Sequence, residues 1–146
     1  MDNIHDIADE LARLEAERAA IEERRQAKEG REAAAARLAE LQREVQTAKL
    51  LEQFEAEGER GVDFDLVDTV AGPIVVRRPH PATFKKFRDG GKYTSAAIED
   101  FVRPCVAHPS KTELGPILER FPGVVDELAD VAFALARGRS KRVAGK

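Results

Sequence analysis

The sequence predicts an α+β chain, mostly α: an N-terminal coiled-coil helix or helical hairpin, followed by a β-hairpin and about four short helices. Three observations carry this prediction. All seven prolines and eight of the ten glycines fall at or after Gly61, which leaves a Pro-free, heavily charged stretch before them. Within that stretch, apolar residues recur at alternating steps of three and four. Beyond it the period drops to two over residues 62–66 and then returns to the helical one. The breaks divide the chain into an arm over 1–58, a module over 62–138 and a basic tail over 139–146, which lacks apolar periodicity and is expected to be disordered.

In the arm, Ile4, Ile7, Leu11, Leu14 and Ile21 form a narrow seam, with Arg18 in the place of one apolar residue. The seam resumes at Ala34, Leu38, Leu41, Val45 and Ala48, out of register with the first series by one residue. Gly30 stands near the slip. A glycine costs about 1 kcal/mol relative to alanine inside a helix, enough to ease a kink or a reversal but not to impose one. One kinked helix and a helical hairpin therefore both fit. Pairs such as Glu22 with Gln26, Glu40 with Glu44 and Arg24 with Lys28 show that the exposed face is not optimised for intrahelical ion pairs. A narrow apolar seam suits helix pairing better than docking on a broad core, so Ile4, Ile7, Leu11, Leu14, Ile21, Leu38, Leu41 and Val45 are the candidate protein-binding residues. The partner is a second copy, the arm's own second half or another protein.

In the module, Val62, Phe64 and Leu66 alternate with Asp63 and Asp65, the period of a half-buried strand. DTVAGP supplies turn chemistry, and Ile74, Val75, Val76 and Arg77 return as a second strand closed by Pro79. Pro81 can open a short helix carrying Phe84 and Phe87, which Asp89-Gly90-Gly91 ends. Thr94 can cap the next helix, whose buried stripe is Ala97, Ile98, Phe101, Val102 and Cys105. Pro104 should kink or terminate this helix late. Ser110-Lys111-Thr112-Glu113 has the form of a capping box and opens a helix presenting Leu114, Ile117, Leu118 and Phe121, with Pro116 a source of distortion. After Pro122-Gly123 the last helix buries Val124, Leu128, Val131 and Leu135, and Gly138 closes it.

The residues give little for chemistry to work on. With 146 residues and one cysteine, no intrachain disulfide framework is possible, and about 75 residues remain to enclose a core once the arm is set aside. Cys105 and His108 lie three apart, but Cys105 continues an apolar stripe and no third orienting group is evident, so it reads as a buried structural cysteine. Asp63, Asp65 and Asp68 lack the glycine and the terminal glutamate of a calcium loop and read as a solvated strand face. No catalytic residue, metal site or cofactor is expected. The longest apolar run, Val131 to Ala136, is far short of the roughly 20 residues a bilayer requires, so no membrane span is expected.

Charge is divided unevenly. Residues 1–60 carry 10 Lys and Arg against 16 Asp and Glu, and residues 61–146 carry 14 against 11. The basic window contains Arg77, Arg78, His80, Lys85, Lys86, Arg88 and Lys92. Arg77, Arg78, Lys85, Lys86 and Arg88 are candidates for docking an acidic partner, the chain's own arm included. Without a stacking platform or recognition helix the window argues against specific nucleic-acid binding, although a basic nucleic-acid-associated factor is the third reading of the chain.

Three segments taken in order, PIVVRRP leading into ATFKKF, then FVRPCVAHPS, then ILERFPGVVDELADVAFALARG, make residues 62–138 resemble the tail assembly chaperones of long-tailed bacteriophages and prophages. The resemblance implies a small non-enzymatic factor in the cytoplasm of an infected bacterial cell. Such a factor binds the long helical tape measure protein, or another phage tail protein, while the tail tube polymerises, and is absent from the finished particle. It implies no catalytic residues. The acidic arm is longer and more regular than the resemblance leads one to expect. The second reading is a structural or adaptor component dimerised by the arm.

Overall fold

The computed structural model describes residues 2–138; the tail expected over 139–146 lies outside the described residues. The chain is α+β and mostly α, in two compact units, Met1–Gln42 and Arg43–Lys146. Helix α1 (Asp2–Glu55) supplies the first unit and enters the second. It is followed by strands β1 (Phe64–Thr69) and β2 (Gly72–Arg77), helices α2 (Pro81–Gly90) and α3 (Ser95–Val102), a 3-10 turn (Arg103–Cys105), strand β3 (Val106–His108), and helices α4 (Lys111–Arg120) and α5 (Gly123–Ala136).

Helix α1 runs through Gly30 without a break, so of the two arrangements the seam allowed, the helical hairpin is set aside. The reason is cooperativity: a single glycine costs about 1 kcal/mol, whereas stopping the helix there would require a second, costly nucleation. The second unit begins at Arg43 rather than at residue 62, because Leu50 and Phe54 on the last turns of α1 pack with Phe64 and Val75 in a buried cluster. The rings of Phe54 and Phe64 lie 5.7 Å apart.

The sheet has the order β1-β2-β3, antiparallel throughout. Its centre is β2, and this explains why Ile74-Val75-Val76 is a continuous apolar run. Side chains alternate across a strand, so Val75 faces the Leu50–Phe54–Phe64 cluster while Ile74 and Val76 face the larger core. That core is completed by Phe101, Val102 and Cys105, by Leu114 and Leu118, and by Val124, Val125, Leu128, Ala129, Ala132 and Leu135 of α5.

The β1–β2 hairpin closes through Val70 and Ala71 with Thr69 paired to Gly72. Gly72 has φ +105°, a conformation that side chains disfavour, and the Thr69 hydroxyl donates to the Gly72 carbonyl at 2.8 Å while accepting from the Ala71 N–H at 3.1 Å. Strand β1 begins at Phe64, so Val62 lies before it and is exposed. Strand β3 has no counterpart among the sequence expectations, which ran a helix to Cys105. In the structure α3 stops at Val102, and Pro104, which has no amide hydrogen to donate, sits in the 3-10 turn that redirects the chain onto the edge of β2.

The Thr94 hydroxyl accepts from the Ala97 N–H at 3.2 Å, and the Ser110 hydroxyl accepts from the Glu113 N–H at 3.4 Å. The cap of α2 was not foreseen: His80 Nδ1 accepts from the Ala82 N–H at 3.1 Å, ahead of Pro81 at the first helical position. Gly91, at φ +64°, closes the same helix. Helix α4 continues through Pro116.

Candidate protein-binding surfaces

Eight large apolar residues, Ile4, Ile7, Leu11, Leu14, Ile21, Leu38, Leu41 and Val45, project from α1 with 41 to 73 % of their surface exposed. Between Asn3 and Gln46 every residue is exposed except Glu22, which is half-exposed. A polar helix surface costs nothing to hydrate, but leucine and isoleucine side chains at regular spacing leave apolar area in water worth about 25 cal/mol per Å² to any partner that covers it. Between the stripes lie short-range ion pairs: Glu10 with Arg13, Glu22 with Arg25 at 2.6 Å, Arg25 with Glu29 and Lys28 with Glu32 at 3.9 Å, and Arg37 with Glu40 at 3.1 Å. The face, expected not to be optimised for intrahelical ion pairs, thus carries a few weak ones. Three of the five pairs are i,i+3. Each exposed pair contributes a few tenths of a kcal/mol, so they support the helix without replacing a partner.

The basic window divides into two kinds of residue. Arg77 approaches Glu57 at 3.3 Å and its guanidinium lies 5.4 Å from the centre of the Phe54 ring. Arg78 is 3.8 Å from Asp63, and Arg88 is 3.8 Å from Asp89 and 5.9 Å from the Phe84 ring centre. Lys85 and Lys86 make no ion pair among the described residues. The window is therefore not one free cationic face, since its arginines already have acidic or aromatic neighbours.

Sequence spacing placed Phe84 and Phe87 on one short helix but did not show what they meet. Phe87 stacks on Phe101 at 4.7 Å, Phe101 stacks on Phe133 at 5.4 Å, and Phe84 lies within 6.3 Å of both Phe101 and Phe133. Exposed Tyr93 meets Phe87 edge-on at 5.5 Å. Beside these rings an open groove of about 420 Å³ is lined by Lys86, Lys92, Phe87 and Phe101, with Asp100 as its acidic group. The aromatics come from helices α2, α3 and α5 and the loop before α3, up to 49 residues apart from Phe84 to Phe133, so no local period could have united them.

The residues weighed for catalysis or metal binding are otherwise occupied. Cys105 is buried, its thiol donates to the Phe101 carbonyl at 3.4 Å, and burial pushes its pKa up to about 11, the opposite of an activated nucleophile. His108 lies on β3, its Cα paired with that of Val75. Asp63 accepts from the Glu59 N–H at 2.8 Å. Asp65 departs from the solvated face expected of it: it is buried, and one carboxylate oxygen accepts from Arg60 Nε at 3.1 Å and from the Leu66 N–H at 2.8 Å. Burial follows from these partners, because a carboxylate leaves water only when its lone pairs are met. Among the described residues no group of three or more His, Cys, Asp or Glu could hold a metal ion, and no helix is long and apolar enough to cross a membrane. No protein-family model, characterised protein or solved structure matches the chain.

Proposed function

We propose that this chain is a non-enzymatic assembly chaperone of a phage tail, acting in the host bacterial cytoplasm, whose arm receives amphipathic helices of the tape measure protein. The observation that carries the reading is the stripe of eight exposed apolar residues on a helix of 54 residues. A helix-rich client whose own apolar faces are uncovered during assembly presents the complementary surface, and helix-on-helix pairing needs only an apolar seam at steps of three and four. The tape measure protein is named as the client because the motif order of residues 62–138 resembles that of the tail assembly chaperones.

Co-expression with the tape measure protein of the same phage tests the reading. A stable complex and a rise in soluble client are expected, and Leu11→Asp with Leu14→Asp should abolish both by placing charges in the seam. Neither a complex nor improved solubility with the unaltered chain would end the proposal. Recovery of the chain at fixed stoichiometry in purified particles would make it a structural component instead.

A further inference from the structure

The stripe on α1 has an internal symmetry. From its N-terminal end the positions run Ile4, Ile7, Leu11, Leu14, Arg18, Ile21, in steps of three, four, three, four and three. From the other end they run Ala48, Val45, Leu41, Leu38, Ala34, Arg31, in the same steps. The sequence positions of each corresponding pair add to 52, so the stripe reads alike in both directions about Gln26. The one-residue slip lies at this centre. Because α1 is continuous through Gly30, its second half cannot fold back to cover its first.

We infer that the stripe is covered by the same stripe of a second copy of this chain running in the opposite direction, with the two-fold axis at Gln26. In that arrangement Leu11 faces Leu41 and Leu14 faces Leu38. Continued outward, the same arithmetic sets Ile7 opposite Val45 and Ile4 opposite Ala48. The contact is isologous, as a two-fold pair requires, and from residue 4 to residue 48 it follows roughly 65 Å of helix.

Charge decides the direction. A parallel pair in register would superpose Arg18 on Arg18 and Arg31 on Arg31 within the seam. It would also lay residues 2–23, with eight Asp and Glu against two Arg, along themselves. The antiparallel pair sets Arg18 beside Ala34 and Arg31 beside Ile21, where each guanidinium can reach water while its stem covers apolar surface. It lays the acidic segment along residues 29–50, in which four Lys and Arg balance four Glu. Flanking the seam, it gives one attraction, Glu17 with Arg37, and one repulsion, Glu10 with Glu44. The parallel pair gives two repulsions, Glu10 with Glu15 and Glu17 with Glu22, against one attraction, Glu44 with Lys49. The central layer, Arg24 with Lys28, is basic on both sides of the antiparallel seam and no better in the parallel one, where each meets its own copy, so the pairing is held from its two ends.

This inference concerns the chain without a client and does not rest on the chaperone reading; a client helix would compete with the second copy for the stripe. Sedimentation of the purified full chain, with disulfide cross-linking of Leu14→Cys and Leu38→Cys variants, tests it. Both substituted positions are exposed and the native Cys105 is buried, so the fold and the background thiol are undisturbed. A dimer is expected, and mild oxidation should link the chains only when the two variants are mixed. In the antiparallel pair two copies of residue 14 lie roughly 36 Å apart, far beyond the roughly 7 Å that a disulfide can span between Cα atoms. A monomer at tens of micromolar, a cross-link formed by Leu14→Cys alone, or a dimer in which the mixture fails to link would each overturn it.

Discussion

Within one continuous helix, Leu41 and Val45 are 41 and 50 % exposed, whereas Leu50 and Phe54 are 7 and 4 % exposed. These two regions of α1 are built from the same kinds of residue and share one backbone geometry. They differ in what lies beside them: Phe64 and Val75 of the sheet cover the last turns, while the stripe before them is left open. A side chain's contribution to folding is set by its neighbours, not by its hydropathy, and an apolar residue without neighbours inside the chain is available to something outside it.

The comparison breaks most readily at Phe54. Phe54→Ala should cost about 3 to 5 kcal/mol in urea unfolding of the module, the range for emptying a buried aromatic site, whereas Val45→Ala, nine residues earlier, should cost less than about 0.5 kcal/mol. Equal effects would mean that the end of α1 is not part of the core.

Cys105 sharpens the module's side of the contrast. Burial raises its thiol pKa from 9.0 to about 11, so below pH 9 the thiol is protonated whether the chain is folded or not. Between pH 9 and 11 only the unfolded chain ionises and holds fewer protons, and stability therefore falls as pH rises. The loss should approach about 2 to 3 kcal/mol relative to Cys105→Ala measured over the same range. At pH 8 the same shift lowers the thiolate fraction about 100-fold, which should appear as equally slow alkylation of the native chain.

The smallest expected effect on the module comes from the arm. Leu14→Asp should leave the module's unfolding free energy within about 0.5 kcal/mol of the parent, yet remove self-association in sedimentation. An unchanged sedimentation profile and unchanged helicity would show that the seam does not pair.

Much of the local structure was legible before any tertiary contact was known. Thr94 and Ser110 announce helix starts because a hydroxyl three residues ahead of an orphan amide can satisfy it wherever the chain goes. Gly72 and Gly91 mark places where φ must be positive. The seam of α1 is equally plain, since its spacing depends only on helical geometry. What escaped reading depended on distant partners. Val106-Ala107-His108 is too short to show a period, and its extended form is set by hydrogen bonding to β2. Asp65 looked solvated because Arg60, which meets its carboxylate, lies outside the alternation of the strand. The gathering of Phe84, Phe87, Phe101 and Phe133 was invisible for the same reason.

By itself the sequence determined the class of the fold, the order of its helices and of the first two strands, and the position of the apolar stripe, because each follows from interactions spanning a few residues. Only the tertiary structure decided that α1 crosses Gly30 unbroken, that its last turns belong to the module's core, and which apolar residues are covered. Those outcomes turn on contacts between segments far apart in the chain, and burial is a property of such contacts rather than of any residue alone.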